Sequence, residues 1–217
     1  MNKILLWIVK ITGLPFAGVY FHKKMHYEDN DKTLRKIKGP ALIISNHESV
    51  YDFPLLMYTF FNRTIRTLTA EKLYEYKALG SLLKGLGGIK VDRANYDFSF
   101  LTTMSNCLQK GQVGLIFPES RLHTAKDPKG LLDFKPSYVY IALQNNVPII
   151  PVYVNGIYGK KKRQLHDRAR VMIGKPIIPN LLINPKLSEK ENILSINQYV
   201  KDKIKALGIL LSKQVKR

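Results

Sequence analysis

Ala41-Leu42-Ile43-Ile44-Ser45-Asn46-His47-Glu48-Ser49-Val50-Tyr51-Asp52 decides the reading of this chain. The run Ala41 to Ser45 is apolar and β-branched, the pattern of a buried strand. Polar residues follow at once, and a helical pattern starts near Tyr51. A histidine just past a strand end sits where open α/β sheets place their chemistry. Asp52 follows His47 by five residues, within reach if the segment turns into a helix. A histidine held by a carboxylate can take a proton from a hydroxyl, because the carboxylate fixes the tautomer and stabilises the imidazolium. The chain has no Gly-x-Ser-x-Gly elbow to supply a protein nucleophile. The hydroxyl must then come from a substrate.

Outward from this stretch the alternation continues. Residues 51–61 read as a helix, 64–70 as a strand, 72–86 as a helix with a glycine-rich end and 89–91 as a short strand. A helix over 96–110 leads to an apolar strand at 113–117, stopped by Pro118. A loop around Asp127-Pro128-Lys129-Gly130 follows. Residues 137–145 read as a helix, 149–154 as a strand and 170–173 as one more. Strands alternating with helices at this spacing predict an α/β fold. It is a single domain with a mostly parallel sheet covered by helices. Ser188-Glu189-Lys190-Glu191 is a capping box, and Ile193, Ile196, Val200, Ile204 and Leu207 recur at helical steps. The tail is therefore an amphipathic helix that packs on the core, with a basic end from Lys213 to Arg217.

The 217 residues suffice for one such domain, and 45% hydrophobic content argues against disorder. A formal charge of +19 attracts nucleic acid, an anionic membrane or phosphorylated substrates. Cys107 is the only cysteine, so no intrachain disulfide can form, and it reads as a small hydrophobe within a helix. None of the other histidines, His22, His26, His123 and His166, has metal-ligand spacing, and His123 reads as a loop residue. Gly85 to Gly88 lacks the Lys-Ser ending of a phosphate loop.

Residues 1–21 are strongly apolar, with Lys10 in the middle and Gly13 and Pro15 after it. A central lysine costs roughly 3 kcal/mol on insertion scales, and glycine and proline oppose a straight span. Core packing is one alternative. Apolar residues on nearly every face favour a segment lying in the membrane interface, with Trp7 and Tyr20 at the boundary and His22-Lys23-Lys24 near anionic headgroups. The chain accordingly divides into an N-terminal membrane-associated helical segment and connector, 1–38, and a catalytic domain, 39–217, at the cytoplasmic membrane face.

The Asn-His-x-x-x-x-Asp block has company in a fixed order. Gly88-Ile89-Lys90-Val91-Asp92-Arg93 comes next, then Phe117-Pro118-Glu119-Ser120-Arg121, then Val147-Pro148-Ile149-Ile150-Pro151-Val152. With these blocks the chain resembles the glycerophospholipid acyltransferase family, most closely the 1-acylglycerol-3-phosphate acyltransferases, from about residue 39 to residue 156. The resemblance implies acyl transfer from a thioester to lysophosphatidic acid in phospholipid biosynthesis. His47 would be the general base and Asp52 its orienter. It also implies a lipid acceptor and an acyl-carrier protein or coenzyme A thioester as donor, with no cofactor, no metal and no nucleic acid.

Arginine binds a phosphate monoester as a bidentate fork. By motif position Arg93 and Arg121 become the acceptor's phosphate ligands, with Lys90 and Lys135 as further candidates. Glu119 either contributes to substrate binding or pairs with Arg121 to shape the loop. The family's third block is usually Phe-Pro-Glu-Gly-Thr-Arg-Ser. Here the glycine is replaced by Ser120, one residue is missing, and Arg121 stands two residues from Glu119. Phe134-Lys135-Pro136-Ser137 keeps the lysine of a later family motif and loses its glycine. Two alternatives accompany this reading: a family member with another acyl acceptor, and a non-catalytic nucleic-acid-binding protein that rests on charge alone.

Overall fold

A computed structural model describes residues 2–92, 97–124, 126–127, 130–156 and 168–215. Its sheet has seven strands: β1 (Lys24–Tyr27), β2 (Ala41–Ser45), β3 (Ile65–Ala70), β4 (Gly88–Val91), β5 (Val113–Ile116), β6 (Ile149–Asn155) and β7 (Arg170–Ile173). Their order is β1-β7-β6-β2-β5-β3-β4, and every neighbouring pair is parallel except β6 with β7. The expected α/β class and mostly parallel sheet are therefore what the chain forms. β2 lies at the centre, all five of its residues buried, which is why it reads as a continuous apolar run rather than an alternation.

Among the described residues six helices cover the sheet: α1 (Lys3–Phe21), α2 (Asp52–Thr59), α3 (Lys77–Leu86), α4 (Ser99–Gln109), α5 (Ser137–Gln144) and α6 (Glu189–Val215). The two-residue period of the strands splits the core into two layers. Ile43 and Leu115 face Leu6, Phe21, Leu55 and Leu56 on one side, while Leu42, Ile44 and Ile116 face Met104, Ile141, Val200 and Ile204 on the other. The capping box at the start of α6 forms as expected. Ser188 N–H donates to Glu191 Oε2 at 2.8 Å, and Glu191 N–H donates to Ser188 Oγ at 3.3 Å.

Two local readings change in the fold. Residues 24–27, expected to precede or open a polar connector, form β1, which pairs with β7 and so joins the sheet from within the N-terminal segment. Four residues carry too little pattern to announce a strand. The single helix expected over 72–86 is broken. A 3-10 turn, Glu71–Tyr74, is separated from α3 by Tyr76 in an extended conformation. The turn then packs so closely on α3 that a Cβ on Gly80 would lie 2.9 Å from Tyr74 Cα.

The N-terminal segment is a continuous helix through both Gly13 and Pro15. Gly13 is there for packing: a Cβ would meet the Tyr58 hydroxyl, which donates to Val9 O at 3.0 Å. Lys10 turns inward, 1% exposed, and its ammonium donates to Phe61 O and Arg63 O at 2.7 Å each. These carbonyls lie just past the C-terminus of α2, where a cation is favoured by the helix dipole. The rings of Trp7 and Phe61 lie against the same charge. Leu6, Ala17 and Phe21 share this inner face, while Ile4, Ile8, Ile11, Phe16 and Val19 are exposed. The core-packing alternative therefore holds for the inner face of α1, and its outer face leaves large apolar side chains exposed. By length and composition α1 is also long and apolar enough to cross a membrane.

Candidate active site

The C-terminal end of β2 delivers His47 to the rim of the sheet, as the strand-end position anticipated. Asn46 locks that end in place. Its amide donates to Val154 O at 2.9 Å and accepts from Val154 N–H at 2.8 Å, tying β2 to β6. The chain then wraps around Asp52, the first residue of α2, which is fully buried. Asp52 Oδ2 lies 3.0 Å from His47 Nδ1 and accepts from the backbone N–H groups of Glu48 at 2.8 Å and Ser49 at 2.9 Å. Two amide donors and the N-terminus of α2 fix this carboxylate as an acceptor facing the ring. The proton between ring and carboxylate belongs on Nδ1, so Nε2 presents its lone pair. Phe117 stacks on the imidazole with centroids 4.2 Å apart and planes 17° apart, fixing its plane.

Glu119 closes the second side. Only 4% exposed, it accepts from His47 N–H at 3.0 Å through Oε1, and from Leu132 N–H at 2.9 Å through Oε2. His123 Nε2 lies 2.9 Å from the same Oε2. Glu119 therefore serves His47 and the loop rather than pairing with Arg121, and His123, read as a loop residue, is its partner. The four-residue spacing of Glu119 and His123 was the one sequence signal for this pair.

The remaining cations are placed unevenly. Arg121 makes a bidentate pair with Asp127, both contacts 2.6 Å, and Asp127 also accepts from Thr124 N–H and Oγ1. The Arg121 hydrogen bonds, with those from Thr124, hold the Asp127 carboxyl well below the usual carboxylate range. Lys90 pairs with Glu71 at 2.5 Å, its ammonium turned to that carboxylate. Arg93 lies outside the described residues. Lys135 is the one lysine or arginine among the described residues that lines the cavity in front of His47.

That cavity has a volume of about 620 Å³ and mostly apolar walls, including Phe53, Leu68, Leu73, Leu83 and Phe100. Its size and lining suit an acyl chain or a comparable apolar group. Among the described residues no cluster of three or more His, Cys, Asp or Glu could hold a metal.

One further residue, Glu48, emerges only in the fold. Glu48 is half-buried, and one of its carboxyl oxygens, Oε2, is buried without a partner. Burial first, then the charges of Asp52 and Glu119, push its pKa up from 4.5 to about 8. The native state thus binds this proton more tightly than the unfolded chain does. The contribution of this group to stability is full below pH 4.5, falls as pH rises towards 8, and is lost above. Glu48→Gln removes the ionisation. Urea melts should show no gain near pH 4 and a gain of about 2 kcal/mol near pH 9, solvent screening allowed for. An equal gain at both ends would show that the effect is not ionisation.

Ser120, on the cavity wall, has φ +66°, the left-handed region that disfavours an L side chain. Glycine adopts this conformation freely, so Ser120→Gly should stabilise the fold by about 1 kcal/mol, read as a rise of roughly 3 °C in melting temperature.

With this geometry in view, the likenesses to known proteins are specific. The family model described as Acyltransferase matches residues 22–155. The chain is 29% identical over 164 residues to the human 1-acyl-sn-glycerol-3-phosphate acyltransferase beta, covering 71% of this chain and 56% of that protein. It is 27% identical over 143 residues to the 1-acyl-sn-glycerol-3-phosphate acyltransferase of Bacillus subtilis, covering 66% of this chain and 68% of that one. Coverage falls to 38% of the coconut (Cocos nucifera) 1-acyl-sn-glycerol-3-phosphate acyltransferase, so the chain spans about half the length of the human and coconut relatives. The crystal structure of the 1-acyl-sn-glycerophosphate acyltransferase of Thermotoga maritima superposes with a TM-score of 0.66 at 22% identity. The match covers 94% of this chain and 79% of that one, a likeness of fold.

Proposed function

Because this chain belongs to the acyltransferase family, we propose that it moves a fatty acyl group from a thioester to the free hydroxyl of lysophosphatidic acid, giving phosphatidic acid. The observation that carries the reading is the His47–Asp52 pair at 3.0 Å on the wall of an apolar cavity. His47 Nε2 takes the hydroxyl proton as the oxygen attacks the thioester carbonyl. A C–O bond forms, the C–S bond breaks, and the imidazolium returns its proton to the leaving thiolate. Asp52 stabilises the imidazolium in between and does not itself become protonated. No acyl-enzyme is required. The donor thioester is that of an acyl-carrier protein or of coenzyme A.

The acceptor's phosphate is held by Lys135 and Arg93, with Arg121 joining by exchanging the Asp127 carboxylate for a phosphate of the same two-oxygen geometry. Glu119 holds the backbone of His47 in register. The outer face of α1 lies in the interface of the membrane, where the acceptor resides, with the basic surface attracting anionic lipid.

The test is turnover of the purified full chain with acyl-coenzyme A and acyl-carrier protein, offered lysophosphatidic acid and its unphosphorylated monoacylglycerol counterpart. The phosphorylated acceptor should be used at least about tenfold better, as expected when a charge-assisted contact is lost from its counterpart. Equal use of both would replace this acceptor with another; no transfer to either would remove the acyl-transfer reading.

A further inference from the structure

α1 is not the only element with an unpartnered apolar surface. The 3-10 turn and α3 expose Leu73, Tyr76, Leu79 and Leu82, the tyrosine 68% exposed. Lys77 and Lys84, two helical turns apart, share one face of α3, and the leucines occupy the other. Lys72 adds a third exposed cation at the turn. An apolar face opposed by lysines is the signature of a helix that lies in the plane of a bilayer surface, its cations reaching the headgroups.

Two placements select a lipid surface over an acidic protein. The start of α1 is fastened to the end of α3. Asn2 N–H donates to Gly85 O at 3.2 Å, and Leu5 fills the space a Cβ on Gly85 would need. The exposed Ile4 and Ile8 belong to that same end of α1. Leu73 and Leu83, moreover, line the cavity in front of His47. The element carrying the exposed leucines is a wall of the cavity itself.

We infer that the turn at Glu71–Tyr74 and α3 form a second membrane-contacting surface, seated on anionic lipid beside α1, through which a bilayer-resident molecule passes between the lipid and the cavity. The inference rests on the proposed membrane docking of α1 and adds to it a separate contact and a route of entry. α1 fixes the protein to the surface, and α3 sets the cavity mouth at headgroup depth.

Trp7, the single tryptophan and part of α1, makes the two contacts separately measurable. Vesicles of phosphatidylglycerol mixed with brominated phosphatidylcholine quench indoles that enter the lipid. In the wild type, quenching of Trp7 reports α1. In the double variant Trp7→Phe with Tyr76→Trp, whose fold is checked by circular dichroism, the relocated indole reports α3. Both indoles should be quenched and blue-shifted. Leu79→Gln with Leu82→Gln, both outside the cavity lining, should weaken vesicle partition about tenfold, as expected for withdrawing two partly inserted leucines. Turnover of detergent-dispersed acceptor should be unchanged in that variant. Quenching of Trp7 in the wild type without quenching of the relocated indole in the double variant would overturn the inference and leave α1 docking intact. Quenching of neither would overturn both. A shift of the relocated indole produced by acyl-carrier protein and not by vesicles would overturn the lipid assignment and give the surface to a protein instead.

Discussion

His47→Ala should abolish acyl transfer, lowering turnover about 10²–10⁴-fold, the usual cost of losing a positioned base. The fold should survive, because the imidazole stands at the rim of the sheet and its removal orphans little beyond Asp52. That carboxylate keeps its amide hydrogen bonds from Glu48 and Ser49. Asp52→Asn should be nearly as severe for a different reason. An amide can accept from Nδ1–H but cannot offset the charge of the imidazolium, and its NH₂ can instead face Nδ1 and favour the wrong tautomer. Asp52→Asn should also destabilise the loop over residues 46–51, since the buried carboxylate organises the two backbone N–H groups. Steady-state kinetics beside thermal melts check both variants. Near-normal turnover in a folded His47→Ala protein would end the proposed mechanism.

Glu119→Ala should produce the largest loss of stability, about 3 kcal/mol or more, because buried donors lose their partner together. These are His47 N–H, Leu132 N–H and the ring of His123. In melting temperature the loss is roughly 10 °C for a domain of this size. Turnover should fall with it, since the backbone of His47 is released on the side opposite Asp52, whereas the acceptor's Michaelis constant should move little. Glu119→Gln keeps one acceptor oxygen and should recover part of both. A Glu119→Ala protein with wild-type stability and a raised Michaelis constant alone would make Glu119 a substrate ligand rather than a positioning residue.

What could be read directly was local. The apolar run of β2 needed only its own residues, because a central parallel strand is buried on both faces. His47 and Asp52 could be paired on spacing, because a loop of five residues leading into a helix brings its ends together. The capping box from Ser188 to Glu191 and the stripe of Ile196, Val200 and Ile204 on α6 are short-range patterns of the same kind. The family likeness rests on such blocks too, each a strand end or a turn.

What the sequence alone left open was every choice of partner across the chain. Asn46 bonds Val154, 108 residues away, and Glu119 serves His47 across 72. Strand order brings these together, and nothing near either residue announces it. Lys10 reads as a charge opposed to burial until the carbonyls beyond α2 receive it, and Gly13 as a weak point until the Tyr58 hydroxyl occupies its space. Arg121 reads as a phosphate ligand by motif position, yet Asp127, six residues on, takes its guanidinium once the loop closes. Spacing fixes which side chains one turn of backbone can bring together. Only the topology of the sheet decides which distant donor finds which acceptor, because a buried polar group must be satisfied by whatever the packed fold places beside it.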